Sequence, residues 1–247
     1  WSNPNLKWLD PAVGIGNYPV IIYLRLLKGL EKWEPNEENR RKHILEKMIY
    51  MVEISDKSIF ILNKVFCDIN SGGQYKLNIF KGSFIKDDDF EYYTTDIQFN
   101  IILGNPPYNR GGIKSKNTDK VQKDQKGYET IWPKFVERSY ELLIDNGYLL
   151  YIHPASWIGL KSYNGELLTR YQIMYLKFYN YGQALNLFGN ESGKIPLTYY
   201  LTQKINTKND TLIYDHCQET YIPFNIYENR FIPTESINMM KKIFEFT

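Results

Sequence analysis

Cysteine is scarce in this chain of 247 residues, which has Cys67 and Cys217 only. Two cysteines cannot make a disulfide framework or a four-thiolate zinc site. Histidine is nearly as scarce. His43, His153 and His216 lie far apart with no metal-ligand spacing, so no metal is expected. No apolar run reaches the roughly 18 residues that a membrane-spanning helix needs. Charge of one sign is lacking too. Lys and Arg number 30 against 28 acids, a formal net charge of +2. Overall charge therefore does not identify a nucleic-acid binder, and such a partner has to be sought in local patches. What is present is an ordinary globular composition, 43% hydrophobic and 23% charged, long enough to bury a full core. Tyrosine stands out, with 21 copies. A first residue Trp1 in place of Met predicts a piece of a longer protein.

The pattern along the chain alternates. A short strand at 7–9 runs into Asp10-Pro11-Ala12-Val13-Gly14-Ile15-Gly16-Asn17. Val20, Ile21, Leu24, Leu27 and Leu30 then recur at helical spacing, predicting a helix over 18–33 with Asn17 as its N-cap. A second helix is expected at 37–47, and Ile49-Tyr50-Met51-Val52-Glu53 reads as a buried strand closed by one acid. Further strands are expected at 76–80, 99–103, 148–153, 174–179 and 197–202, with helices at 57–65, 128–143 and 165–171. Seven strands alternating with helices predict an α/β fold, a doubly wound and mostly parallel sheet. Residues 109–127 break the pattern and carry Arg110 and five lysines against Asp119 and Asp124. From about Asp210 the periodicity loosens, so 1–207 reads as the main domain and 208–247 as an extension or the start of a second domain.

In open α/β sheets ligands bind beyond the carboxyl ends of the strands, near the switch point. Two unusual loops are expected there. In the first, Gly14 and Gly16 allow a tight turn and close approach of a ligand to the main chain. Asp10 ends the strand before it. Without a third glycine after Gly16, a dinucleotide site is disfavoured, while a plain strand-to-helix turn stays open. Glu53, at the end of the next strand, has the acceptors to grip a ribose diol. The second loop is Asn105-Pro106-Pro107-Tyr108. Its two prolines donate no hydrogen bond and hold φ fixed. The turn therefore offers stiff carbonyls, an amide oxygen and an aromatic ring, an array suited to a planar amine.

In this order these motifs resemble those of the gamma-group adenine-N6 DNA methyltransferases, enzymes of restriction–modification systems that use S-adenosyl-L-methionine. The resemblance covers roughly residues 5–205. It implies the class I S-adenosylmethionine-dependent methyltransferase fold. It also implies a cofactor site made by Asp10, Pro11, Ala12, Gly14, Gly16 and Glu53, with Ser83 and Phe84 at the adenine ring. The family usually has an acid at position 83, so Asp87 to Asp89 are alternatives for that contact. Asn105, Pro106, Pro107 and Tyr108 match the catalytic tetrapeptide. Leu187-Phe188-Gly189 resembles the segment that brings a second aromatic to an extruded base, which makes Tyr108 and Phe188 the implied substrate-binding pair.

The resemblance further implies methyl transfer to the N6 of a flipped adenine in double-stranded DNA. It implies a fused or separate restriction endonuclease, a target-recognition domain beginning after 207, no membrane and a cytoplasmic setting. The basic stretch 109–127 could track phosphates or be a solvated insertion. The same tetrapeptide chemistry serves other planar amines, so an RNA or protein-glutamine N-methyltransferase stays open, as does a non-catalytic DNA-binding remnant. His153, before Pro154, is read as structural.

Overall fold

The computed structural model describes residues 1–68, 75–85, 97–110, 129–192, 195–229 and 231–245. Its first half runs β1 (Trp8–Asp10), α1 (Asn17–Gly29), α2 (Glu37–His43), β2 (Ile49–Glu53), α3 (Asp56–Asp68), β3 (Asn78–Lys81) and β4 (Phe99–Gly104). A two-stranded ribbon follows, β5 (Asn109–Arg110) and β6 (Glu129–Thr130), then α4 (Trp132–Leu142) and β7 (Leu143–Pro154). The remainder is α5 (Tyr163–Leu168), β8 (Gln172–Tyr179), α6 (Tyr181–Ser192), β9 (Leu197–Gln203), β10 (Thr211–Asp215), β11 (Thr220–Phe224), α7 (Ile226–Asn229) and α8 (Ile237–Glu245).

Among the described residues the sheet has nine strands, ordered β3-β2-β1-β4-β7-β9-β8-β10-β11, rather than the seven expected. The expected seven are all there, and β10 and β11 extend the sheet at one edge. Residues 208–247, expected as an extension or a beginning second domain, supply those two strands and the last two helices. The sheet is parallel from β3 to β7, while β9 runs antiparallel to both neighbours and β11 antiparallel to β10. β1 pairs with β2 on one side and β4 on the other, so the chain reverses its direction of growth there. That switch point opens a crevice at the strand ends.

Two apolar layers sandwich this half of the sheet. On one face Ile22, Leu26, Leu62 and Phe66 of α1 and α3 pack on Trp8, Ile49 and Met51. On the other, Phe135 and Val136 of α4 pack with Leu9, Val52 and Ile102. β2 is buried on both faces up to Glu53, which is why it reads as an unbroken apolar run. The predicted helix 37–47 is shorter than expected. After His43 the chain widens into a π-turn, Ile44–Met48, that buries Ile44, Leu45 and Met48 together.

Candidate functional site

The first loop leaves β1 and enters α1. Gly16, not Asn17, caps the helix, at φ 97°. Asn17 is already helical, because Val20 N–H donates to the Gly16 carbonyl at 3.0 Å. A Cβ on Gly16 would come within 2.7 Å of Leu62 Cδ2, so both the backbone angle and the space require glycine. At Gly14 a Cβ would meet nothing within 4 Å; this backbone faces open space.

Glu53 closes the loop from the next strand. Its Oε2 accepts from Gly14 N–H at 2.8 Å, and its Oε1 accepts from Ile54 and Ser55 N–H at 3.0 and 2.8 Å. Val13 N–H donates to the Val52 carbonyl and Gly82 N–H to the Glu53 carbonyl. One acid thus ties together the ends of β1 and β2, and Oε2 keeps acceptor capacity for another donor.

These residues line one cleft of about 510 Å³, within the range of small-molecule sites. Pro11, Ala12, Gly14, Glu53, Ser83, Phe84, Asn105 and Pro107 all face it. Two members of the expected cofactor set stand behind it. Gly16 is buried against Leu62, and Asp10 is 2% exposed beneath the loop. Asp10 Oδ1 accepts from Ala12 N–H at 3.1 Å, while buried Oδ2 has no hydrogen-bond partner among the described residues. Burial above all, with a contribution from nearby Glu53, raises the Asp10 carboxyl to about 7, against the pull of the Ala12 bond. The expectation for Asp87 to Asp89 lies outside the described residues, as does that for 111–127.

The second loop leaves β4 beside Asp10. A Cβ on Gly104 would sit 3.0 Å from Asp10 Oδ1, so only glycine lets the strand exit pass this close to that carboxylate. Asn105 and Pro107 are exposed into the cleft, and Pro106 is buried. The Asn105 side chain lies close enough to the Tyr108 hydroxyl to act on it. Burial above all, with Tyr18 nearby, pushes that hydroxyl up to about 12 against the influence of Asn105. The Tyr108 carbonyl accepts from Ile131 N–H at 3.0 Å, and β5 pairs with β6, so residues 109–130 leave and rejoin the site at one point. This closure brings Ile131 and Phe135 into the cleft. The sequence carried no sign of them beyond an amphipathic helix.

Tyr108 and Phe188, expected as a pair, pack on the same small cluster of Ile152, Ala184 and Leu197, joined by Tyr179 and Tyr199. The α6 backbone breaks just after Phe188, at Gly189 (φ 71°). Tyr18 and Tyr199 were not singled out in the sequence, and each lies within electrostatic reach of this corner. His153 is fully buried, stacked on Trp132 at 3.9 Å and hydrogen-bonded to the Tyr200 hydroxyl at 3.0 Å. Burial lowers its pKa to about 3. Its place is inside the core, away from the cleft lining.

Comparison with known proteins follows the same lines. Residues 21–188 match the family described as Eco57I restriction-modification methylase. An uncharacterized adenine-specific methylase of Mycoplasma pneumoniae is 26% identical over 220 residues, covering 64% of this chain and 50% of that protein. The type II methyltransferase M.TthHB8I of Thermus thermophilus is 32% identical over 87 residues, 31% of this chain and 20% of that protein. The chain thus spans half the length of the first relative and one fifth of the second. Among solved structures, the EcoKI M protein of a type I restriction enzyme superposes with a TM-score of 0.58 at 14% identity, over 86% of this chain and 44% of that one. A modification subunit of a putative type I restriction enzyme from Vibrio vulnificus gives 0.59 at 15%, over 92% and 49%. A putative class I S-adenosylmethionine-dependent methyltransferase from Listeria monocytogenes gives 0.53 at 13%, over 85% and 58%. The fold is therefore that of the class I methyltransferases, and the chain belongs to the Eco57I restriction-modification methylase family.

Proposed function

We propose that this chain is the catalytic part of a DNA methyltransferase that moves a methyl group from S-adenosylmethionine to the exocyclic N6 of an adenine. One observation carries this reading: Glu53 with the open Gly14 backbone and the Asn105–Pro107 turn line a single cleft. Tyr108 leaves that turn toward Phe188. The adenine-specific Mycoplasma relative and the DNA-bound type ISP restriction-modification enzyme LlaBIII, which shares the fold at a TM-score of 0.58, support it.

The residues present fit the cofactor. Gly14 leaves space where a Cβ would intrude, Glu53 Oε2 can accept from a ribose hydroxyl, and Ser83 and Phe84 flank the far side. When bound, S-adenosylmethionine supplies an electrophilic methyl on a sulfonium.

The chain's own work is to prepare the amine. The lone pair of an adenine N6 is delocalised into the ring, so the nitrogen is a poor nucleophile. Asn105 Oδ1 and the Pro106 carbonyl would accept its two hydrogens and favour a pyramidal nitrogen. Asn105 cannot take up a proton, so no base acts before attack, and the proton leaves to water afterwards. Orientation and fixed dipoles supply the rate. A duplex adenine must be flipped to reach this turn, with Tyr108 on one face and Phe188 on the other.

The test uses the full-length parent with labelled methyl donor and DNA, RNA and protein offered in parallel. Label is expected in DNA, on adenine, and Asn105→Ala should lower turnover by about a hundredfold or more while cofactor affinity stays within a fewfold. Undiminished turnover in Asn105→Ala, or label confined to RNA or protein, overturns the reading.

A further inference from the structure

The four strands β9, β8, β10 and β11 have two unlike faces. On one, Ile173, Leu176, Ile213 and Phe224 are buried in the core. On the other, tyrosines surround a single lysine. The register sets out a row across the sheet: Ile152 of β7 opposite Tyr199 of β9, Tyr199 opposite Lys177 of β8, and Tyr214 of β10 opposite Tyr221 of β11. Lys177 Nζ stands 3.5 Å from the Tyr214 ring centroid and closes the gap in this row. Tyr214 and Tyr221 meet edge to face at 5.3 Å, and Tyr175 reaches Tyr221 at 5.6 Å. Tyr175 and Tyr221 stay 39% and 37% exposed.

We propose that this tyrosine–lysine row seats the DNA strand that flanks the extruded adenine, an inference that rests on the function proposed above. Three features point to a nucleic-acid strand. The first is chemistry: the exposed rings of Tyr221 and Tyr175, beside half-buried Tyr214 and one cation, make a stacking platform that tolerates any base and answers a phosphate. The second is charge. Lys177 makes no ion pair among the described residues. The acid of β10, Asp215, is turned to the other face, where it accepts from Cys217, Gln218 and Ile237 N–H. The third is continuity. The row starts at Ile152 and Tyr199, which belong to the cluster that holds Tyr108 and Phe188. From Tyr199 to Tyr221 are three strand spacings, about 14 Å, room for about four stacked nucleotides. A cavity of about 250 Å³ opens between Lys177, Tyr179 and Tyr214 on the sheet and Gln183 and Asn186 on α6.

The experiment measures binding of the full-length parent to a fluorescent duplex that it methylates. The probe carries 5-iodouracil beside the target adenine for photo-crosslinking. The double variant Tyr214→Ala/Tyr221→Ala should bind about ten- to a hundredfold more weakly, and Tyr214→Phe/Tyr221→Phe should restore binding because the rings, not the hydroxyls, stack. Lys177→Gln should reduce the slope of log K against log salt by about one. Crosslinks should fall on Tyr214 or Tyr221. Melting temperature and cofactor affinity control for folding. If the parent methylates DNA but the folded double variant binds it equally well and no crosslink forms on the row, this inference fails and the function stands. If those substitutions instead disrupt only a protein complex, the face is a protein interface and the inference is again overturned. If the parent neither binds nor methylates DNA, the proposed function itself fails.

Discussion

The two halves of the sheet solve different problems. β2, β1 and β4 are covered on both faces by α1, α3 and α4, so their side chains keep little free surface and chemistry is concentrated in the loops at their ends. β8, β10 and β11 bury one face and leave the other partly open, so their chemistry lies along the strands. A doubly covered strand can position a ligand only where it stops, whereas a singly covered strand can present a whole row. Small-molecule recognition and the proposed strand recognition divide along that line.

The sharpest way to break this contrast is on one strand. Leu176, 1% exposed in the core, and Tyr175, 39% exposed beside it, point to opposite faces. Leu176→Ala should cost about 2–5 kcal/mol in denaturant unfolding, and Tyr175→Ala about 1 kcal/mol or less. Equal losses would mean that both faces are core. In the other half, Gly16→Ala should cost about 1–3 kcal/mol, through its left-handed backbone and the crowding on Leu62. Gly14→Ala, where space is open, should cost less in unfolding and show its effect in cofactor titration instead. The order of the two unfolding midpoints checks this.

The last effect is a slope. Asp10 holds its proton up to about 7 in the fold against 3.8 ordinarily, so between these values the folded chain binds more protons than the unfolded one. Its contribution to stability is present at low pH and is lost as pH rises through that window, by up to about 1.4 kcal/mol per pH unit. His153 acts in the opposite sense. It is lowered to about 3 from 6.5, so its contribution is present above 6.5 and is lost as pH falls. Between pH 3.8 and 6.5 the two slopes oppose and largely cancel, so unfolding of Asp10→Asn should unmask the rise of stability with pH that belongs to His153. An unchanged profile would remove Asp10 as the opposing group.

Much of the doubly covered half was legible in the sequence. Ile49–Glu53 is a strand with the expected bounds, since burial on both faces writes itself as a continuous apolar run. Both end loops stand out because glycine and proline are chosen for backbone geometry, which is local. The singly covered edge was harder to read. Thr211–Asp215 and Thr220–Phe224 mix tyrosine, threonine and one proline, and α6 was missed because its pattern breaks at Gly189. Within the site, the sequence places Asp10 at a strand end, but nothing local places its carboxylate behind the loop, beside Gly104.

By itself the sequence determined the alternation of strands and helices, the two strand-end loops and their order, because each depends on residues close together in the chain. Only the tertiary structure decided that Glu53 clasps Gly14 and that Asn105 shares a cleft with Phe135. It alone set Tyr199, Lys177, Tyr214 and Tyr221 in one row. These contacts join residues brought together by strand order and register, and order and register are fixed by burying the whole sheet at once.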